Sequence, residues 1–137
     1  MYFNESKVVV RYAETDKMGV VYHSNYLIYF EIARTEFINQ CGVSYREMEE
    51  LGIMIPVLES NCKYKHGAQY DDELTIKAWI EELSGVKAKF NYLIIREKDQ
   101  KEIASGNTLH TFVDNNFKII NMKKKYPEIM SKLEQLL

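Results

Sequence analysis

A carboxylate and an imidazole lie seven residues apart near the start of the chain, at Asp16 and His23. Both belong to a polar, glycine-containing loop with the sequence ETDKMGVVYHSNY. A carboxylate can act as a base or a nucleophile, and an imidazole can orient or polarise a reacting group. Each residue also has an ordinary alternative, because an aspartate near a glycine often stabilises a turn and a histidine can simply precede a helix. The pair is therefore a candidate site that depends on how the loop folds.

A long helix is predicted directly after this loop. Ser24 or Asn25 can cap its start, and Gly42 can end it. The N-terminus of a helix has unpaired N–H groups and a partial positive charge, which suit a developing oxyanion. Apolar residues recur at three- and four-residue steps, which predicts a helix with a broad buried face: Tyr26, Phe30, Ala33, Phe37 and Cys41, widened by Leu27, Tyr29 and Ile38.

Most of the remaining chain predicts β-strands joined by hairpins. A capping box at Ser44 predicts a short helix to Gly52, and Pro127 predicts a last amphipathic helix. Gly106, inside a predicted strand, indicates a bulge or a close backbone approach. One long helix and several antiparallel strands imply a single α+β domain over residues 1–137, with the sheet curled around the helix. The predicted strands are 6–12, 53–59, 62–69, 74–81, 90–94 and 103–113.

Composition excludes several classes of protein. A chain of 137 residues, 46% of them hydrophobic, can bury a core as one domain. A net charge of −2 opposes nucleic-acid binding as the main activity. Cys41 and Cys62 form neither a disulfide framework nor a zinc pattern. No signal peptide and no apolar run of membrane-spanning length is evident, so we expect a soluble, cytoplasmic protein.

The segment from Tyr12 to Tyr26, followed by Tyr29-Phe30-Glu31 and Ala33-Arg34, resembles the active-site motif of hotdog-fold acyl-CoA thioesterases. The most similar group is the 4-hydroxybenzoyl-CoA thioesterase family, in its branch associated with the Tol–Pal cluster. The resemblance covers roughly residues 5–125. It implies a hotdog fold, in which an antiparallel sheet of about five strands wraps one long central helix. It also implies a homodimer or homotetramer with active sites at the subunit interface.

The resemblance also implies roles for individual residues. Asp16 matches the catalytic carboxylate, which either activates water or attacks the thioester carbonyl, and His23 matches a histidine near the thioester. The backbone N–H groups of Tyr22 and His23 match the oxyanion donors, and Tyr12 matches an aromatic residue that positions Asp16. Ser84, Lys87 and Lys89 match positions close to the coenzyme A nucleotide.

Other polar residues have weaker assignments. Lys63 and Lys65 could also meet phosphates. Glu31 and Arg34 could shape the cleft, but a structural ion pair between them is the favoured prediction. His66 and His110 are expected to be ordinary surface or core histidines.

The implied activity is hydrolysis of an acyl-CoA thioester to a free acid and coenzyme A. It needs no metal and no cofactor, because coenzyme A is part of the substrate. Two alternatives remain open: a hotdog dehydratase or hydratase, and a non-catalytic protein that binds acyl-CoA. The first is disfavoured because no proline lies between Asp16 and Pro56, and the second because Asp16 and His23 are both present.

Overall fold

The computed structural model describes residues 1–137 and contains one antiparallel sheet of five strands. The strands lie in the order β1-β3-β4-β5-β2, so β1 and β2 form the two edges. Every pair of neighbouring strands is antiparallel. Their bounds are Asn4–Val9 for β1, Val57–Tyr64 for β2, Glu73–Leu83 for β3, Lys87–Arg96 for β4 and Glu102–Thr111 for β5.

Four helices accompany the sheet. The long helix α1 spans Asn25–Asn39, and α2 spans Tyr45–Glu50. Near the C-terminus, α3 spans Met122–Lys125 and α4 spans Pro127–Glu134. A short 3₁₀ turn, Tyr12–Glu14, follows β1. None of the helices has both the length and the apolar character needed to cross a lipid bilayer.

Helix α1 packs on the inner face of the sheet, as its apolar spacing predicts. Phe30 stacks on Tyr92 of β4 with 4.3 Å between ring centroids, and Phe37 meets Phe90 edge-on at 5.6 Å. The helix ends at Asn39, two residues earlier than predicted, and its buried residues are Tyr26, Tyr29, Phe30, Ala33, Phe37 and Ile38. Burying this aromatic face against the sheet stabilises the central helix.

Gly106 marks a close approach of α1 to the sheet. A Cβ atom at this position would overlap the backbone oxygen of Asn61 on β2 and would lie 2.7 Å from the Phe30 ring. The glycine therefore lets the helix and two strands approach one another, and the prediction of a close approach is confirmed.

The edge strands differ from their predicted bounds. Two segments, 53–59 and 62–69, were expected where the structure has the single strand β2, because an edge strand with mostly exposed residues lacks a clear alternation. β1 runs over Asn4–Val9 rather than 6–12, since Tyr12 already begins the 3₁₀ turn. The β3–β4–β5 hairpins, α2 and α4 lie where the sequence predicts them.

Candidate active site

The loop between β1 and α1 folds into a tight turn around Asp16. The Asp16 N–H donates to Val20 O at 2.9 Å, and the Gly19 N–H donates to Asp16 O at 3.0 Å. One carboxylate oxygen of Asp16 accepts the Met18 N–H at 2.8 Å, which is the ordinary turn contact of an aspartate. Gly19 has a φ of +81°, which suits a glycine. The second carboxylate oxygen, Oδ2, has no hydrogen-bond donor within the chain and can face a substrate.

The start of α1 has both occupied and free N–H groups. Tyr22 donates its N–H to Glu14 O at 2.9 Å, so this predicted oxyanion donor is already engaged. The N–H groups of His23 and Ser24 have no acceptor in the chain. Ser24 precedes the helix without capping it through its side chain. His23 is therefore the free donor of the predicted pair, and Ser24 offers a second N–H that the sequence did not single out.

Asp16 and His23 line the same surface groove, which has a volume of about 240 Å³. The sequence predicts that the loop can bring these two side chains to one pocket, and the structure does so. The groove is open to solvent and mixes polar with apolar walls. Its lining residues are Asp16, Met18, Val20, Val21, His23, Tyr26, Tyr64, Lys65, His66 and Gly67.

Aromatic rings form much of the groove wall. The His23 imidazole lies 4.4 Å from the Tyr22 ring and meets the Tyr64 ring edge-on at 6.3 Å, centroid to centroid. Tyr26 of α1 packs against Tyr64 at 5.5 Å. Burial raises the pKa of the Tyr26 hydroxyl, whose oxygen accepts the Ala68 N–H at 3.4 Å. These contacts place the exposed His23 ring between the Tyr22 ring and the end of β2.

Tyr12 lies outside the groove. Its side chain is 77% exposed and packs edge-on against Tyr70 with 5.4 Å between ring centroids. Its backbone oxygen accepts the N–H and the hydroxyl of Thr15. Within one chain, Tyr12 therefore contributes to the turn before Asp16 through its main chain, while its ring does not join the groove lining.

Ser84, Lys87 and Lys89 lie at the opposite end of the sheet from the groove. Lys87 begins β4, whereas Arg96, which donates to the backbone oxygen of the groove residue Gly67 at 3.2 Å, ends that strand. A strand of 10 residues extends about 30 Å. Lys89 pairs with Glu81 at 3.1 Å. One chain therefore does not bring these three residues to Asp16.

No motif in the sequence places the groove residues Lys65 and His66 at the candidate site. The Lys65 ammonium pairs with the Glu102 carboxylate at 3.0 Å, and His66 Nδ1 lies 2.9 Å from the Glu102 backbone oxygen. Both therefore reach the groove because β2 pairs with β5. The sequence suggests a phosphate contact for Lys65 and an ordinary surface or core position for His66. Only the strand pairing identifies His66 as part of the groove.

The predicted ion pair between Glu31 and Arg34 is not formed. No carboxylate lies within 4.0 Å of the Arg34 guanidinium, which instead donates to the Tyr92 hydroxyl at 3.2 Å. Tyr92 and His110 each contact the Thr108 hydroxyl, at 2.6 and 2.7 Å. Burial lowers the pKa of His110 to about 4, so this fully buried imidazole is neutral near pH 7. Arg34 thus faces the sheet rather than its neighbour on the helix.

Comparison with known proteins identifies the family. The family model described as the thioesterase-like superfamily matches residues 10–133. The chain is 36% identical over 129 residues to a Bacillus subtilis protein named "Putative acyl-CoA thioesterase YneP", covering 93% of each chain. It is 33% identical over 90 residues to a Haemophilus influenzae protein named "Acyl-CoA thioesterase YbgC", covering 65% of this chain and 66% of that protein.

A solved structure agrees with these matches. The structure titled as a DHNA-CoA thioesterase from Staphylococcus aureus has a TM-score of 0.91 and 36% sequence identity, covering 99% of this chain and 93% of that one. The five-stranded antiparallel sheet around α1 is the expected hotdog arrangement. This chain therefore belongs to the thioesterase-like superfamily, has the hotdog fold and is a thioester hydrolase.

Proposed function

We propose that the chain hydrolyses an acyl-CoA thioester to a free acid and coenzyme A, with Asp16 as the base or nucleophile. The observation that carries this proposal is that Asp16 and His23 share one groove at the N-terminus of α1. The relatives named as acyl-CoA thioesterases support the substrate class. The His23 N–H, which has no acceptor in the chain, is the proposed oxyanion donor, and Ser24 supplies a second candidate.

Two routes fit this arrangement. In the first, the free oxygen of Asp16 removes a proton from water as the water attacks the thioester carbonyl. In the second, that oxygen attacks the carbonyl itself, and water then hydrolyses the resulting anhydride. In both routes the carbonyl oxygen becomes negative and accepts the His23 N–H, and the carbon–sulfur bond breaks to release the coenzyme A thiolate, which takes up a proton. Neither route draws on a metal or a further cofactor.

We also propose that two copies of the chain associate through β2, forming a homodimer that can pair further into a tetramer. β2 is an edge strand, and its outer backbone edge has no partner. It exposes about half of the Val57, Leu58 and Tyr64 surfaces. An exposed apolar edge strand favours pairing with another strand. Because Tyr64 also lines the groove, a second copy at this edge would help to enclose the site.

This association predicts that Leu58→Lys lowers the molecular mass in solution from an oligomer to a single chain. A lysine on an edge strand opposes strand pairing by its charge. The mass is measured by light scattering after gel filtration. Val9→Lys is the matched control, since Val9 is also half exposed and lies at the end of the other edge strand. A monomer with Val9→Lys and an unchanged oligomer with Leu58→Lys would contradict the proposal.

The coenzyme A contacts follow from the same assembly. Ser84, Lys87 and Lys89 can approach a groove only if that groove belongs to another copy, because about 30 Å of strand separates Lys87, and about 23 Å separates Lys89, from Arg96 at the groove end of β4. Lys65 borders the groove of its own chain and is a further candidate for a phosphate contact.

The proposed location is cytoplasmic, and the proposed group is the Tol–Pal-associated branch of the 4-hydroxybenzoyl-CoA thioesterases.

The activity is tested by thiol release from a panel of acyl-CoA thioesters. The panel includes short aliphatic, long aliphatic and aromatic acyl groups, with DHNA-CoA among the aromatic ones because of the Staphylococcus aureus relative. We expect enzyme-dependent release of coenzyme A from at least one class. An enoyl-CoA and a hydroxyacyl-CoA test water addition and loss. Turnover of those two without thiol release, or acyl-CoA binding without any turnover, would contradict the proposal.

A further inference from the structure

The side chain of Glu14 joins the loop to the buried face of α1. Its carboxylate oxygen Oε1 accepts the Arg11 N–H at 2.8 Å and the Tyr29 hydroxyl at 3.1 Å. Its other oxygen pairs with the Arg11 guanidinium at 3.3 Å, and the Glu14 side chain is only 14% exposed. Tyr29 is fully buried, and burial together with the Glu14 carboxylate raises the pKa of its hydroxyl. The hydroxyl therefore stays protonated and donates a hydrogen bond to the Glu14 carboxylate.

The main chain of Glu14 makes a second set of contacts with the start of α1. Its carbonyl oxygen accepts the Tyr22 N–H and the Asn25 side-chain amide, both at 2.9 Å. Asn25 and Tyr29 are four residues apart on α1 and therefore lie one turn apart on the same face. Glu14 therefore connects the loop to two successive turns of α1. Its carbonyl oxygen binds the turn that contains Asn25, and its carboxylate binds the turn that contains Tyr29.

These contacts enclose the two ends of the candidate catalytic loop. Glu14 lies two residues before Asp16, and its partner Tyr22 lies immediately before His23. The Glu14–Tyr22 bond therefore sets how far the Asp16 carboxylate lies from the free N–H groups of His23 and Ser24. Glu14 is not among the groove-lining residues, so its side chain does not contact a substrate bound in the groove.

We infer that Glu14 is a positioning residue that acts through Tyr29 to hold Asp16 in register with the N-terminus of α1. This inference rests on the proposed function, in which Asp16 acts at the thioester carbonyl carbon and the His23 N–H binds the carbonyl oxygen. Transition-state stabilisation requires donors that are already in place, and a displacement of about 1 Å can cost about a hundredfold in rate. The Glu14–Tyr29 bond supplies this alignment without touching the substrate.

The inference is tested with Tyr29→Phe, which removes the donor and keeps the buried ring, and with Glu14→Ala, which removes the acceptor. We expect each variant to lower kcat by roughly 10- to 100-fold while KM changes by less than about threefold, because alignment rather than binding is lost. Glu14→Gln keeps an oxygen that can accept from Arg11 and Tyr29. It should restore most of the kcat that Glu14→Ala loses.

A double-mutant cycle separates positioning from general stability. If Glu14 and Tyr29 act through one bond, the double variant should be little slower than either single variant. Glu97→Ala is the matched control, since Glu97 likewise accepts from the Lys7 ammonium, at 2.7 Å, and from the Thr75 hydroxyl, but lies outside the groove. It should lower the melting temperature and leave kcat unchanged.

Three results would overturn the inference: unchanged kcat in both single variants, effects on log kcat that add fully in the double variant, or a Glu14→Gln variant as slow as Glu14→Ala. Failure of the proposed function would be seen separately, as an absence of thiol release by the wild-type protein. A wild-type enzyme that depends on Asp16 but not on Glu14 would overturn this inference alone.

Discussion

Asp16→Asn should lower kcat for the preferred acyl-CoA thioester by roughly a hundred- to ten-thousandfold, the range expected when a catalytic base is lost. An amide is neither a useful base nor a useful nucleophile at neutral pH. The fold should survive, because the amide oxygen can still accept the Met18 N–H that Asp16 accepts at 2.8 Å. KM should change little, since the substitution is nearly isosteric. Steady-state thiol release and a thermal melt measure the two effects.

Asp114→Asn is a matched control for this variant. Asp114 also stabilises a turn, accepting the N–H groups of Asn116 at 2.8 Å and Lys118 at 3.0 Å through one carboxylate oxygen. It is not among the groove-lining residues. The control should therefore retain wild-type kcat. Near-wild-type activity of Asp16→Asn, with the same folded signal as the control, would show that Asp16 is only a turn residue.

Labelling with ¹⁸O from water distinguishes the two routes open to Asp16. If the carboxylate attacks the thioester carbonyl, hydrolysis in ¹⁸O-labelled water during a single turnover should place label in Asp16, because water can attack the anhydride at either carbonyl. If Asp16 acts as a base, the label enters only the released acid. Mass analysis of the peptide that contains Asp16 measures the difference.

Local sequence patterns were sufficient to predict the central elements of the fold. The apolar residues of α1 repeat at helical spacing and are buried, and the alternation in β3 predicts a strand that is half buried. The sequence predicts two strands in place of the edge strand β2, because seven of its eight residues are exposed and no alternation marks its length. A sequence pattern reports which residues are buried, and an edge strand with mostly exposed residues carries little of that signal.

Contacts between distant segments explain what the sequence did not predict at the site. Lys65 and His66 reach the groove only after β2 pairs with β5. Arg34 contacts Tyr92, which is 58 residues away, so the nearby Glu31 was an incorrect choice of partner. Glu14 had no local signal, because Arg11 three residues earlier has no acceptor and cannot form the Ser/Thr-x-x-Glu capping box. The loop motif was sufficient to locate Asp16 and His23 in the sequence. The residues that hold these two in place can be identified only from the contacts in the folded structure.

Arg96 illustrates how far from the loop this support extends. Its guanidinium donates to Asp72 at 3.2 Å, to Gly67 O at 3.2 Å and to Asp99 at 2.9 Å. Arg96 and Asp72 are both buried. Burial alone would raise the pKa of Asp72, but the Gln69 N–H and the Arg96 guanidinium lower it overall. Because Gly67 lines the groove, this buried pair supports the wall opposite the loop.

Arg96→Leu should therefore lower the free energy of unfolding by up to about 3 kcal/mol, since it leaves the buried Asp72 carboxylate with only the exposed Lys98 ammonium, 3.6 Å away, as a cation. The Asp72 pKa is lowered in the folded state, so the stabilisation is present above the ordinary aspartate pKa of 3.8 and is lost as the pH falls below it. Urea unfolding at pH 7 and at pH 3 should accordingly show a smaller difference between variant and wild type at pH 3.

Two further variants show whether the buried Asp72 charge causes this loss. Adding Asp72→Asn to Arg96→Leu should restore a large part of the stability at pH 7, because the buried carboxylate is removed along with its partner. Arg46→Leu breaks an exposed ion pair with Glu50, whose side chains are 90% and 65% exposed, and should change the stability by less than about 1 kcal/mol. An equally small loss for Arg96→Leu would mean that the pair does not support the groove wall. A loss near 3 kcal/mol with a raised KM would show that stability and substrate binding depend on the same buried contact.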